Sequence, residues 1–167
     1  MIEITDLKKE YTLNGRKKYA LDGISVKIPE GCFVSVIGPS GAGKSTLLRS
    51  INGMISVDGG KVEINGKNIS SLKGKEKREV QKNICMIFQD FCLVESSTVI
   101  KNVLNACLAD MNLFSAVFGI FGTERKAKAA EILERVGMAE KINQPADSLS
   151  GGEQQSTAIA RAIMQGG

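Results

Sequence analysis

The chain contains no histidine. The side chain that most often moves protons near neutral pH is therefore missing, and any mechanism needing an imidazole must take it from outside these residues. Long apolar runs are also absent. The longest, Leu113 to Gly122, is about half the length that a spanning helix requires. Met1-Ile2-Glu3-Ile4 lacks the basic and apolar regions of a secretory leader, so the expectation is a chain that stays in the cytosol. Cysteine is scarce. Cys32, Cys85, Cys92 and Cys107 match neither zinc nor redox spacing. Cys85, on an expected strand, and Cys107, on an expected helix face, read as buried thiols. Charge of one sign is not in large excess either: 22 basic against 18 acidic residues leave +4, too little to argue for a nucleic-acid partner. The remaining composition, 43% apolar and 24% charged over 167 residues, is that of one ordinary globular domain with a real core.

What is present is concentrated in Gly38-Pro39-Ser40-Gly41-Ala42-Gly43-Lys44-Ser45-Thr46. This fits G-x-x-x-x-G-K-[ST], the phosphate-binding loop. Phe33 to Ile37 before it is short, β-branched and aromatic, and reads as a buried strand. Leu47 to Asn52 after it reads as a helix that Gly53 ends. Strand, glycine-rich turn and helix is the context the motif needs. Small residues let backbone N–H groups wrap a phosphate, and the helix starting near Lys44 adds the positive end of its dipole. Lys44 places an ammonium at the β- and γ-phosphates, and the Ser45 hydroxyl is placed to ligate Mg²⁺. An ordinary glycine-rich βα turn would not need Lys-Ser at this spacing.

Around that loop the expected elements are strands over Met1–Leu7 and Ala20–Ile28, and a polar connection over Tyr11–Lys18 with an Asn14-Gly15 turn. A turn at Pro29-Glu30-Gly31 follows, then one at Asp58-Gly59-Gly60, and an alternating strand Lys61–Gly66 with a hairpin end. Lys73 to Lys82 reads as a solvated helix face rather than a basic patch, because Glu76 and Glu79 interrupt the lysines. Asn83 to Phe88 reads as a strand ending near Gln89. From Thr98 the period becomes helical. Ile100, Val103, Leu104, Cys107 and Leu108 share one face, and Ala129, Ile132, Leu133 and Val136 share another before Gly137. Residues 98–142 thus form a helical insert. Its Phe114, Val117, Phe118, Ile120 and Phe121 cluster is core by default and a docking surface on the sharper reading.

A second anion site is suggested at Leu149-Ser150-Gly151-Gly152-Glu153. Ser150 and Glu153 satisfy the S-x-x-E capping box, so a helix should start after Ser150, with Ile159, Ala162 and Ile163 on its apolar face. Glycines in a first helical turn are costly unless something approaches the backbone closely. On residue chemistry alone, a plain capped helix and a phosphate site both remain open.

The order of these features resembles the nucleotide-binding domain of ATP-binding cassette (ABC) transporters, in which Leu-Ser-Gly-Gly-Gln/Glu is the signature motif. Within that family the chain is similar to the ATP-binding subunit of phosphonate importers. The matching stretches include Met86 to Phe91, Leu93-Val94-Glu95, Leu113 to Phe121 and Leu133 to Gly137. The resemblance implies an α/β P-loop ABC ATPase core with an antiparallel β subdomain and a helical subdomain, its sheet incomplete at the C-terminus. It implies three parts: a P-loop core over 1–90, a helical subdomain over 91–150, and the signature with its helix over 149–167. It implies Tyr11 stacking on adenine from the loop after the first strand, where a plain surface aromatic is the alternative. It also implies that Gly38 to Thr46 hold the triphosphate of ATP, and that Gln89 reaches Mg²⁺ and the attacking water. Leu149 to Glu153, through Ser150, Gly151 and Gly152, would meet the γ-phosphate held by a second copy in a head-to-tail dimer. A membrane permease and, indirectly, a solute-binding protein are the further partners implied, with the subunit peripheral on the cytoplasmic side of a bacterial inner membrane. Nucleic acid is not among them.

Two departures from the family pattern bear on activity. Ser156 stands where a basic residue is usual. Past the signature helix, the acidic strand end that supports Mg²⁺, the glutamate that polarises water and the switch histidine are missing. The expectation is therefore a truncated chain that binds nucleotide weakly, hydrolyses it poorly and leaves an apolar sheet edge unpaired. A subunit of another ABC importer or exporter, a non-hydrolytic binding module, and another non-transport ATPase or a P-loop kinase are the alternatives. The signature stretch argues against the last.

Overall fold

A computed structural model describes residues 1–13 and 15–166. The chain divides into two compact units, Met1–Gln81 and Lys82–Gly167.

The first unit is built on an antiparallel sheet. Strands β1 (Ile2–Leu13), β2 (Arg16–Ile28), β3 (Gly59–Ile64) and β4 (Lys67–Asn68) lie in the order β2-β1-β3-β4. β1 and β2 are longer than expected. Leu13 pairs with Arg16, so Tyr11, Thr12, Lys17 and Lys18 belong to strands and not to a polar connection. Of the expected Asn14-Gly15 turn, Asn14 lies outside the described residues and Gly15 has φ 75°. The second hairpin turns at Asn65 (φ 49°) and Gly66 (φ 80°), the two positive φ values of a two-residue turn whose twist matches the strands. Asp58-Gly59-Gly60 is not a free turn. It enters β3 where β1 is bulged at Asp6, and a Cβ on Gly60 would lie 2.3 Å from the Thr5 and Asp6 carbonyl oxygens. Ile4, Leu7, Leu21, Val62, Ile69 and Val80 are buried. Helix α1 (Lys44–Ile51) follows the phosphate loop and ends at Gly53 (φ 64°). Helix α2 (Gly74–Lys82) buries only Val80, as a solvated charged helix should.

The second unit is helical: α3 (Val99–Leu104), a 3₁₀ turn over Asn105–Asp110, α4 (Leu113–Val117), α5 (Thr123–Arg135) and α6 (Gly151–Gln165). Its core joins Val99, Val103 and Leu104 with Ala129, Ile132, Leu133, Leu149, Ala160 and Met164. Asn102 is fully buried and fully used. Its Oδ1 accepts from the Val94 N–H at 2.8 Å, and its Nδ2 faces the Val94, Ser97 and Thr98 carbonyls at 3.0–3.3 Å. That network satisfies a polar group that would otherwise be expensive to bury. Beside it, Val99 N donates to Gln144 O, Ile100 N to Ile142 O, and Ala146 N to Ser97 O. This seam supplies partners for the opening N–H groups of α3 and delivers the chain to Leu149.

Three expectations are corrected. Phe33–Ile37 forms no strand: Phe33 is 97% exposed and Ile37 91%, and no described segment pairs with it. Asn83–Phe88 likewise carries no ladder. Both have strand composition, but a strand exists only through a neighbour that satisfies its backbone. The apolar face of α6 is shifted from the expected one, although Ile163 still packs against the core. Thr157, Ala158, Ala160 and Met164 are buried, whereas Ile159, Ala162 and Ile163 are half-buried, because α3 and α5 both pack on this helix. The thiols are only partly as expected: Cys85 and Cys107 are half-buried, and burial pushes both above the ordinary thiol range. Cys32 and Cys92 are exposed.

Candidate functional site

The phosphate loop folds as its glycines demand. Gly41 (φ 79°) and Gly43 (φ 88°) sit in the left-handed region. Gly43 is fixed by contact as well: a Cβ there would lie 2.2 Å from the carbonyl oxygen of Ala20 on β2. The loop therefore lies directly on the strand backbone. Lys44 is the first residue of α1, and its ammonium donates to the Gly38 and Pro39 carbonyls, each at 2.7 Å. Gly38, Pro39, Ser40, Gly41, Ala42 and Ser45 are exposed, while Gly43, Lys44 and Thr46 are half-buried. No acidic side chain sits in the first turn of α1, so its positive end is not offset from within the helix. An exposed loop of small residues, an uncompensated helix start and one ammonium suit an anion carrying several oxygens.

Tyr11 belongs to the same unit but not to a loop. It lies in β1 opposite Lys18, 40% exposed, with the Lys9 ammonium 5.4 Å from its ring centre. Lys9 is largely buried and pairs with Asp58 at 3.1 Å. The Asp58 carboxylate also accepts from the Glu10 N–H at 2.7 Å. That bond first, and Lys9 second, hold it below the usual carboxylate range. The ring is thus braced on a strand edge with a face open to solvent.

Gln89 lies in the second unit, exposed, in a turn. The two residues after Asp90 are held in an unusual shape, Phe91 at φ 54° and Cys92 at φ 46°. Non-glycine residues rarely adopt such angles without outside support. Arg161 on α6 gives that support, donating to the Phe91 carbonyl at 2.6 Å and the Cys92 carbonyl at 2.7 Å. Sequence reasoning missed Arg161. The one available signal was a guanidinium between Ile159 and the Ala162-Ile163 pair, on a helix flank expected to be apolar.

At the start of α6 the capping box is closed in both directions, and Glu153 Oε2 accepts from the Ser150 N–H at 2.8 Å. Leu149 is buried in the helical core, whereas Ser150, Gly151 and Gly152 are exposed. Nothing lies within 4 Å of where a Cβ would sit on Gly151 or Gly152. Neither glycine is therefore demanded by packing inside this chain. Glu153 also pairs with Lys141, and Lys141 first, then the Ser150 N–H, draws its pKa down from 4.5 to about 2. A carboxylate with a lowered folded pKa gives stabilisation that is complete above its unfolded value and lost as pH falls through its folded one. The wild-type chain should accordingly lose helix stability between about pH 4.5 and 2. Glu153→Gln, which can still accept from Ser150, should flatten that part of the profile. Thermal melts followed by circular dichroism across the window check this.

The ABC transporter family profile matches residues 21–167, which is most of the chain and includes both glycine motifs. The chain belongs to the ABC transporter family. Among curated relatives it is similar to the phosphonates import ATP-binding protein PhnC of Lactococcus lactis subsp. cremoris, 44% identical over 165 residues. These cover 99% of this chain and 66% of that protein. The namesake from Lactobacillus gasseri is 48% identical over 99% of this chain and 62% of its own length. The chain thus spans somewhat less than two thirds of the length of these relatives. Among solved structures, a dimeric post-hydrolysis state of the ATP-binding cassette MJ0796 bound to ADP and Pi superposes with TM-score 0.86 at 32% identity. It is matched over 99% of this chain and 70% of that one. A further dimeric structure of MJ0796, a bacterial ABC transporter cassette, gives 0.87. The fold is therefore the α/β P-loop fold of ABC ATPases, with an antiparallel β part and a helical part, as the order of motifs implied. Among the described residues no cluster of His, Cys, Asp and Glu could hold a metal by itself. Among the described residues no helix is long and apolar enough to cross a membrane.

Proposed function

We propose that this chain carries the nucleotide-binding part of a subunit that binds and hydrolyses ATP to energise phosphonate import. The observation that carries the reading is the Gly38–Thr46 loop, exposed over Gly38–Ala42, with Lys44 at the unoffset N-terminus of α1 and its ammonium on the loop carbonyls. Lys44 leaves those carbonyls for β- and γ-phosphate oxygens, while the loop N–H groups hold the rest of the triphosphate. The Ser45 hydroxyl would hold Mg²⁺, which when bound would neutralise phosphate charge, and by likeness to the family the Gln89 side-chain carbonyl would be a further ligand. Gln89 also orients the attacking water. Tyr11 offers its exposed ring to adenine. The names of the curated relatives support the import role and its substrate class.

Leu149, Ser150, Gly151, Gly152 and Glu153 serve a different nucleotide, the one held by the phosphate loop of a second copy. The open space over Gly151 and Gly152 supports this, since a triphosphate can approach that backbone without displacing any side chain. ATP then joins two copies head to tail, and its turnover moves a membrane permease engaged by the helical unit. A solute-binding protein supplies the permease, and the subunit sits at the cytoplasmic face of a bacterial membrane.

Lys44→Ala tests the reading. The variant should weaken Mg·ATP binding at least about tenfold, equivalent to ~1.4 kcal/mol, with unchanged melting. Titration with a fluorescent ATP analogue measures it. Unchanged affinity would remove the site from the phosphate loop.

A further inference from the structure

The helical unit carries a ridge that the nucleotide site does not use. Leu113, Phe114, Val117, Phe118 and Ile120 are exposed by 80, 66, 70, 66 and 54%. This corrects the expectation of core packing, which holds only for Phe121, at 9%. α4 is amphipathic the wrong way round for a soluble helix. Its half-buried residues are Ser115 and Ala116, and its three large apolar side chains, Leu113, Phe114 and Val117, are exposed, as is the C-capping Phe118. Phe114 and Phe118 pack on that outer face with ring centres 4.7 Å apart and planes tilted by 46°. The ridge is well built: the Asn112 side chain accepts from the Ser115 N–H at 2.8 Å, and buried Phe121 pins the far end. None of its residues lines the cavity among Met86, Asn105, Leu108 and Arg161.

Charge around the ridge is arranged with equal asymmetry. Residues 111–123 contain no charged side chain. Immediately beyond, Arg125, Lys126 and Lys128 occupy the first two turns of α5, within about 9 Å of Gly122 along the helix. The nearest acids in sequence are Glu124 on α5 and Asp110 on the preceding 3₁₀ turn, which is paired with Lys82. Cations at a helix N-terminus oppose the helix dipole, so their presence there is a local cost. An anionic surface alongside would offset it.

An uncharged, outward-facing apolar ridge beside cations is the composition of a segment that lies in a membrane interface. We propose that Leu113–Phe121 is a lipid-contacting wedge. Its phenylalanines enter the headgroup–acyl boundary of an anionic bilayer, while Arg125, Lys126 and Lys128 meet lipid phosphates. This rests on the membrane-peripheral placement proposed above and adds a contact that needs no permease. The apolar side chains provide insertion, and the cations favour anionic over neutral lipid.

Co-sedimentation of the full chain with vesicles in about 0.1 M salt, where the Debye length is about 10 Å, tests it. Vesicles of phosphatidylcholine with one quarter phosphatidylglycerol are compared with pure phosphatidylcholine. The chain should bind the anionic vesicles at least about tenfold more tightly, as expected if each cation near the surface contributes a several-fold gain. Phe114→Ser with Phe118→Ser should lose about tenfold or more, and Lys126→Glu with Lys128→Glu should abolish the preference for anionic lipid. Both variants should keep wild-type affinity for the fluorescent ATP analogue, which reports that the chain is folded and keeps the two proposals separable. Absent vesicle binding overturns the wedge, as does binding that neither variant changes. A ridge that instead drives self-association, or that engages only a permease helix, overturns it equally.

Discussion

Gly43→Ala should unfold this chain far more readily than any other alanine substitution in the phosphate loop. The new Cβ would sit 2.2 Å from the Ala20 carbonyl oxygen, and φ is 88°. Backbone cannot yield cheaply there, because Ala20 is held in β2, so the cost should be about 3 kcal/mol or more. For a chain of this size that lowers the melting temperature by roughly 10 °C. Gly41→Ala is the control. Its φ is 79°, but nothing lies within 4 Å of the added methyl, so only the left-handed backbone penalty of about 1 kcal/mol applies. Equal melting of the two variants would mean that the loop does not rest on β2 as described.

The second large effect has the opposite sign for stability. Gly151→Ala with Gly152→Ala removes two poor helix formers from the start of α6, at positions with ordinary helical angles and open space over both. The folded chain should gain about 1 kcal/mol. ATP-dependent association of two copies should nevertheless weaken by about tenfold or more, because the methyls occupy the approach to the backbone. Melting curves and sedimentation with Mg·ATP measure the two halves. A variant that is more stable and associates normally would leave the plain capped helix as the whole explanation of this motif. The pairing of gain and loss is informative because glycine here costs the isolated chain stability and is repaid only by a ligand.

Local chemistry was legible in the sequence. Lys44 and Ser45 at fixed distance from Gly38, the Ser150–Glu153 box and the Gly53 and Gly137 stops each depend on neighbours a few residues away, and each is present. What depends on distant chain was not legible. Phe33–Ile37 has strand composition, but composition cannot supply the adjacent ladder, so the segment stays unpaired among the described residues. Tyr11 read as a loop residue because a polar hairpin tip looks like a connection until its partner, Lys18, is placed opposite. The period of Phe114, Val117 and Phe118 fixes a helical face but carries no sign, and the structure turns that face to solvent. Arg161 was marked only by its charge on an apolar flank, because its partners, two carbonyls about seventy residues away, belong to strained residues that no propensity marks.

Those two carbonyls give α6 a second office. The helix begins at the Ser150 cap and, eleven residues on and about 16 Å further along its axis, grips the chain just past Gln89. Near its end, Gln165 reaches the Lys82 carbonyl at 3.4 Å, on the other side of Gln89. A single stiff rod thus straddles the glutamine at one end and carries the exposed glycines at the other. The chain on both sides of Gln89 is therefore anchored to the same helix that opens with Gly151 and Gly152.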